Sequence, residues 1–411
     1  MVTRSDSHPL TLSPSQSMWT PVAFAVLTSP MLLIAQTLTA PIIDAQAPRA
    51  VTLGKPVAEL HDTFTSMSSV RELSDGRVIV SDRRDNLVQL ADFKTQKLTK
   101  IGREGSGPAE YESAGSLYAL LNDTTLLGDF ANKRFMIINP DGKAGATRTD
   151  DEGSFVASST LGLDERGATY LAVRFQTNKG EGGPQYLIRY EPRTKHADTI
   201  TSIVRPSGLV SGASSTGNGM LKYFTNLPFA PEDVAAVARD GRVAVARFDN
   251  YHVEWFARDG KKTIGPTVQY SPIAIDAAEK RAFLEKQVRP GTILVQNKPG
   301  ATSAPMSSGP RKAVYNAETY DDKGMTWPAR KPPFVANALS IDPAGRAWVL
   351  RTTPHTAPGL TYDVFDSAAK LILSVTIPPK TKVVGFGAKS VYLAFTDDDD
   401  LQHLHRYAAP Q

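Results

Sequence analysis

Ser69–Phe93 reads SVRELSDGRVIVSDRRDNLVQLADF. An apolar strand ends at Asp75-Gly76, and a second strand of alternating apolar residues follows to Asp82. A polar break then leads into a third strand that closes on a polar turn. Asp-Gly tolerates φ > 0 and suits a two-residue hairpin, and alternation with period two marks half-buried strands. The same unit returns at Ala235–Gly260, AAVARDGRVAVARFDNYHVEWFARDG, with Asp240-Gly241 at its first turn.

Weaker copies extend the pattern over the rest of the chain. Ser116–Gly142 turns at Asn122-Asp123, Leu161–Tyr190 at Asp164–Gly167, and Leu339–Lys370 at Pro343–Gly345. Val384–Tyr407 turns at Gly387–Lys389 and ends in the strand Leu401–Tyr407. Repeated short antiparallel sheets solve the edge-strand problem by closing around an axis. The sequence therefore predicts an all-β, six-bladed β-propeller over 51–411 with four-stranded antiparallel blades. Val51–Leu60 is expected to complete the last blade and close the ring. A two-sheet sandwich is the competing architecture.

The spacing Asp82, Asn86, Val88, repeated as Asp129, Asn132, Phe135, resembles NHL-type repeats. Gly102–Tyr111, GREGSGPAEY, and Lys331–Val349 are similar to segments of bacterial six-bladed β-propeller proteins related to the NHL-repeat family. The resemblance covers nearly all of 51–411 and implies the fold more than a task, because one scaffold carries unrelated functions.

In a four-stranded meander, the turns between strands one and two, and three and four, share one end. Short turns fall there. The long connections, among them Gly102–Ala114, Phe175–Gln185, Ile203–Pro231, Gln269–Ala336 and Thr352–Leu360, fall at the other end. Long loops gathered on one side point to a recognition surface. The longest is an insertion at 270–336 between blades four and five. It opens with a predicted helix, Asp276–Val288, and continues into a Gly/Pro/Ser-rich stretch, Lys298–Pro310.

Aligning the second strands by their turns places Asp82, Asp129, Arg174, Arg247, Arg351 and Phe395 at the elaborated end. Arg174, Arg247 and Arg351 form a candidate anion-binding set, since guanidinium forks suit carboxylate, sulfate or phosphate. Local ion pairing is the competing reading. Asp82, Asp129, Arg103, Glu110 and Tyr111 are further candidates on that face. Glu110 is expected to bond backbone and Tyr111 to pack on a neighbouring blade.

The remaining signals narrow the function class. The 411 residues carry 46 basic and 42 acidic side chains, a net charge of +4, with no basic block, which argues against nucleic acid. The chain has no cysteine, which removes disulfides, thiol nucleophiles and cysteine-based zinc sites. No G-x-S-x-G elbow is present and the seven histidines are scattered. Six-bladed propellers include calcium-dependent lactonases, so Asp233 and Asn337 are the metal candidates under that alternative; otherwise no cofactor is expected. Residues 1–47 hold the apolar run Pro21–Ile34 behind Arg4, which reads as an export signal or, uncleaved, a membrane anchor. The expectation is thus an extracytoplasmic binding module, periplasmic or secreted, whose loop face meets an unidentified protein or small molecule.

Overall fold

The computed structural model describes residues 47–149, 160–176, 182–205, 228–287 and 327–411. The chain divides into two units, Met1–Ala47 and Pro48–Gln411, and the described strands lie in the second. Among the described residues, regular structure is nearly all strand, with one α-helix, α1 (Ala277–Gln287).

The repeat folds as successive antiparallel meanders. Met67–Glu72, Val78–Asp82, Leu87–Asp92 and Lys97–Lys100 make the first. Leu117–Ala119, Thr125–Asp129, Arg134–Ile138 and Ala144–Arg148 make the second. The third comprises Thr160–Leu163, Thr169–Gln176, Gly182–Glu191 and His196–Ile203. The fourth comprises Val234–Val237, Val243–Arg247, His252–Phe256 and Lys262–Ile264. Leu339–Ile341, Ala347–Arg351, Thr361–Phe365 and Leu371–Thr376 form the fifth. Thr381–Phe386, Ser390–Thr396 and Gln402–Ala408 begin the last.

Ala58–Phe64 pairs antiparallel with Gln402–Ala408 and supplies that sheet's outer strand, as expected of the N-terminal segment. The expected single strand Val51–Leu60 is nevertheless two. Arg49–Thr52 runs parallel to Leu371–Thr376 and adds a fifth strand to the preceding sheet. Pro56 lies in the break between them, where a missing N–H cannot extend either ladder.

The first turns also differ from the expected two-residue hairpin. At Leu73–Arg77 the Gly76 N–H donates to Leu73 O (3.0 Å), and Leu73 N–H donates to Arg77 O (2.8 Å). Only Gly76, at φ 86°, enters the left-handed region, so the loop is a three-residue turn with a glycine bulge. Asp75 Oδ1 accepts the Arg77 N–H (2.9 Å). Gly241 (φ 87°) and Asp240 repeat the arrangement. Asn122 (φ 56°) and Asp123 (φ 58°) make the true two-residue turn with both residues left-handed.

First strands lie side by side from meander one through five, and the last is hydrogen-bonded to the first. Apolar residues between neighbouring meanders bury one cluster at each contact. Ile79, Leu90, Leu127 and Met136 fill the gap between one and two, and Tyr170, Leu187 and Val245 that between three and four. Trp255, Val349 and Phe365 lie between four and five, and Phe64, Val80, Tyr392 and Leu404 between the last and the first. The alternation read from sequence is thereby used on both faces of each sheet.

Closure rests on a parallel pairing of Gly385 with Val70 and Phe386 with Arg71. The backbones approach so closely that a β-carbon on Gly385 would overlap the Val70 carbonyl oxygen. Gly385→Ala is therefore expected to cost about 1–3 kcal/mol through overpacking. A lowered urea midpoint with unchanged m-value would show it, and an unchanged midpoint would contradict this account of the junction.

Candidate functional site

The end that carries the long connections is built on charged residues at strand ends. Asp82 closes the second strand of the first meander and is 2% exposed. It accepts N–H groups from Thr65 (2.6 Å), Ser66 (3.0 Å), Arg84 (3.0 Å) and Asp85 (3.3 Å). Asp129 holds the matching place in the second meander. It accepts the Glu112 and Ser113 N–H groups (3.1 and 3.0 Å), Asn132 Nδ2 (2.8 Å) and Arg134 Nε (3.2 Å). Both carboxylates are thus staples for the chain entering each sheet.

Gly102–Ala114 is the rigid connection that the sequence suggested. Arg103–Glu104 pairs parallel with Glu110–Tyr111. Glu110 Oε2 accepts the Gly107 N–H (2.7 Å) and Oε1 the Arg103 Nε (2.6 Å), which hold its carboxyl below the usual range. Tyr111 is fully buried, and its hydroxyl accepts the Val88 N–H (3.0 Å). Gly102 (φ 65°) must stay bare, because a β-carbon would sit 2.8 Å from Ala109 O.

The three arginines are not joined. Arg174 pairs its backbone with Gln185, and its side chain lies outside the described residues. Arg247 is held by Asp233 (2.8 Å) and Glu254 (2.7 Å) and donates to Ser202 O (2.9 Å). Burial opposes its charge, but the two carboxylates outweigh that and raise its pKa. Asp233 also accepts the Val204 N–H (2.9 Å). Asn337, in a left-handed conformation (φ 60°), lines a separate cavity of about 310 Å³. Among the described residues no group of three metal-ligating side chains forms.

Arg351 lines a cleft of about 730 Å³, between the fourth and fifth meanders. Strand register produces its floor: Arg351 pairs with Thr361, Thr361 with Thr376, and Asp363 with Ser374. Residues two apart share a face, so hydroxyls and the guanidinium emerge together. Gln269–Ile273 and Thr352–Pro354 supply the walls. Arg351 Nη2 lies 2.8 Å from Asp363 Oδ1 and donates to Ser374 Oγ (2.7 Å). The Asp363 contact is an ion pair off hydrogen-bond angle, which leaves Oδ1 without a donor among the described residues.

Asp363 was not singled out by sequence, although it occupies a core-facing position in the alternation Thr361, Asp363, Phe365. It is 1% exposed, and Tyr251 from the fourth meander donates its hydroxyl to Oδ2 (2.9 Å). Burial raises the Asp363 pKa against the opposing pull of Arg351 and Tyr251. Burial, then the Asp363 charge, push the Tyr251 phenol well above its ordinary value, so it keeps its proton as donor.

Helix α1 and the 352–360 connection are tied beside this cleft by Glu279, which is 4% exposed. It pairs with Lys331 Nζ (2.6 Å) and accepts the His355 N–H (2.9 Å). Asp276 Oδ1 caps the helix at the Glu279 N–H (2.9 Å). The expected helix is thus present; Lys298–Pro310 and most of Ile203–Pro231 lie outside the described residues.

No protein-family model matches the chain, and no curated protein matches it. Solved structures give distant likenesses. Virginiamycin B lyase from Staphylococcus aureus is 9% identical, with 86% of this chain and 98% of that chain covered and a TM-score of 0.40. Regucalcin from Agrobacterium tumefaciens is 9% identical, with 88% and 97% covered and a TM-score of 0.38. A DUF4221-family protein from Bacteroides vulgatus is 10% identical, with 86% and 95% covered and a TM-score of 0.41. The class is set by the chain's own topology: consecutive antiparallel meanders, first strands adjacent, last sheet paired to first. That arrangement is a β-propeller.

Two outcomes follow. Tyr251→Phe leaves Asp363 Oδ2 buried without its donor and should cost about 1–3 kcal/mol in a denaturant titration. For Glu279, burial raises the pKa, but Lys331 and His355 outweigh it and hold the carboxyl below its ordinary value. A depressed folded-state pKa gives stability that is present above the unfolded carboxyl range and lost as pH falls through the folded value. The melting-temperature gap between wild type and Glu279→Gln should therefore narrow as pH drops from 7 through the acid range. A gap constant with pH would contradict the ion pair's role.

Proposed function

We propose that the protein is an exported six-bladed propeller that works as a binding module, with its ligand seated in the Arg351 cleft. The observation that carries this reading is the cleft's floor, where a partly exposed guanidinium stands among Thr361, Ser374 and Thr376. Such a surface offers a charged fork for a carboxylate and hydroxyls for a polyol, the chemistry of a sugar acid. The immobilised pieces around it reduce the ordering cost of binding: Asp363 fixes Arg351, and Glu279 fixes the neighbouring helix and connection. Export is supported by the uncharged segment between Asp6 and Asp44. No helix among the described residues is long and apolar enough to cross a membrane.

Gluconate and its uncharged counterpart sorbitol test the cleft by calorimetric titration. Gluconate should bind, and Arg351→Ala should weaken it roughly tenfold or more, as expected for loss of a charge-assisted contact. Equal affinity in the variant, or no binding in wild type, would set the cleft aside. A calcium-dependent rise in melting temperature together with lactone turnover would favour the hydrolase reading of Asp233 and Asn337 instead. For export, removal of residues 1–47 should leave the protein in the cytoplasmic fraction.

A further inference from the structure

The opposite end of the axis carries a different charged residue. Arg71 ends the sequence Ser69-Val70-Arg71 on the innermost strand of the first meander, directly opposite Phe386 of the closing strand. It is 7% exposed. Its Nη2 donates to Asp123 Oδ1 (2.9 Å), while Nε and Nη1 have no hydrogen-bond partner among the described residues. A guanidinium carries five N–H donors, so three of them are left unclaimed in a place that water reaches poorly.

Asp123 cannot satisfy them. Its second oxygen is taken by the N–H and the hydroxyl of Ser74 (2.9 Å each). The left-handed turn at Asn122-Asp123 fixes the carboxylate in that bridging position. Arg71 lines an axial cavity of about 380 Å³, walled by the first strands of meanders one, two, four, five and six. The other guanidinium in that wall is Arg239, 52% exposed, which lies 3.9 Å from its nearest carboxylate at Glu165. The cavity's own carboxylate, Asp342, is already committed to Arg346 Nε (2.7 Å) and Trp348 Nε1 (2.9 Å). The wall therefore presents two cations and no unengaged acid among the described residues. Burial works against the charged form of Arg71, Asp123 pulls the other way, and the charge of Arg239 adds a smaller opposition.

We propose that this end of the channel binds a small solute through an oxyanion, a phosphate or carboxylate group, held between the unclaimed donors of Arg71 and the guanidinium of Arg239. The cavity volume admits a small metabolite and excludes a folded partner. An anion there supplies the missing hydrogen-bond acceptors and screens two like charges. It also bridges strands beside the ring-closing junction, so occupancy raises resistance to unfolding.

Inorganic phosphate and succinate are the probes, titrated calorimetrically and in thermal melts, with chloride at matched ionic strength as reference. Wild type should bind at least one of the two and melt higher in its presence. Arg71→Met and Arg239→Ala should each weaken that binding roughly tenfold or more. Arg84→Ala removes one surface charge and should leave it unchanged. Arg239 is half-exposed, so its variant answers the question even where Arg71→Met fails to fold. Undiminished affinity in Arg239→Ala, an equal loss in Arg84→Ala, or the absence of binding of either anion to wild type would overturn the proposal.

Discussion

Closing the ring is the constraint on which the other features depend. The chain must bring Met67 back to Gln402, whose Oε1 accepts the Met67 N–H (2.7 Å) across 335 residues. Joining ends that far apart costs about 5 kcal/mol of chain entropy by the logarithmic loop rule, several times the net worth of one hydrogen bond. The junction is correspondingly broad. It combines the parallel Gly385–Val70 contact, the antiparallel Ala58–Phe64 strand, and a buried cluster of Leu60, Phe64, Tyr392 and Leu404. Until those form together, the innermost strands of the first and last meanders each have an uncovered side.

A second constraint recurs at meanders one, two and four, where the incoming connection brings buried N–H groups that need acceptors. Meanders one and two place Asp82 and Asp129 at the end of the second strand, and these accept the amides directly. Meander four has Arg247 at that position, and the acceptor moves to Asp233 on the incoming chain, held by the guanidinium. In meander five Arg351 turns to Asp363 on the next strand. The cross-strand pairs Arg247–Glu254 and Arg351–Asp363 occupy equivalent register positions, and the second borders an open cleft. Arg247 is thus enclosed by two carboxylates, whereas Arg351 is left partly exposed.

The two ends of the axis are consequently unlike. One end carries α1 and the 352–360 connection, held down by Glu279 and Lys331. The other has short turns tied across meanders, as where Asp123 grips Ser74 and Arg71. Short turns leave the channel uncovered at that end, and the residues of the first strands become its lining.

Period-two alternation and the spaced Asp-Gly turns made the meanders legible in the sequence, because strand register and turn chemistry are local. The rigid bend at Gly102–Tyr111 was legible for the same reason. The split of 49–64 between two sheets was not, since it depends on which edges the finished ring leaves unpaired. Nor could spacing tell that Arg247 is saturated and Arg351 is not: Asp233 reaches Arg247 from the incoming chain, and Tyr251 engages the partner of Arg351, Asp363, only after one sheet packs on the next. The sequence by itself determined the repeated meanders and where their turns fall. Tertiary structure decided which charges find partners, because pairing between residues as distant as Tyr251 and Asp363 follows from the packing of one sheet on the next.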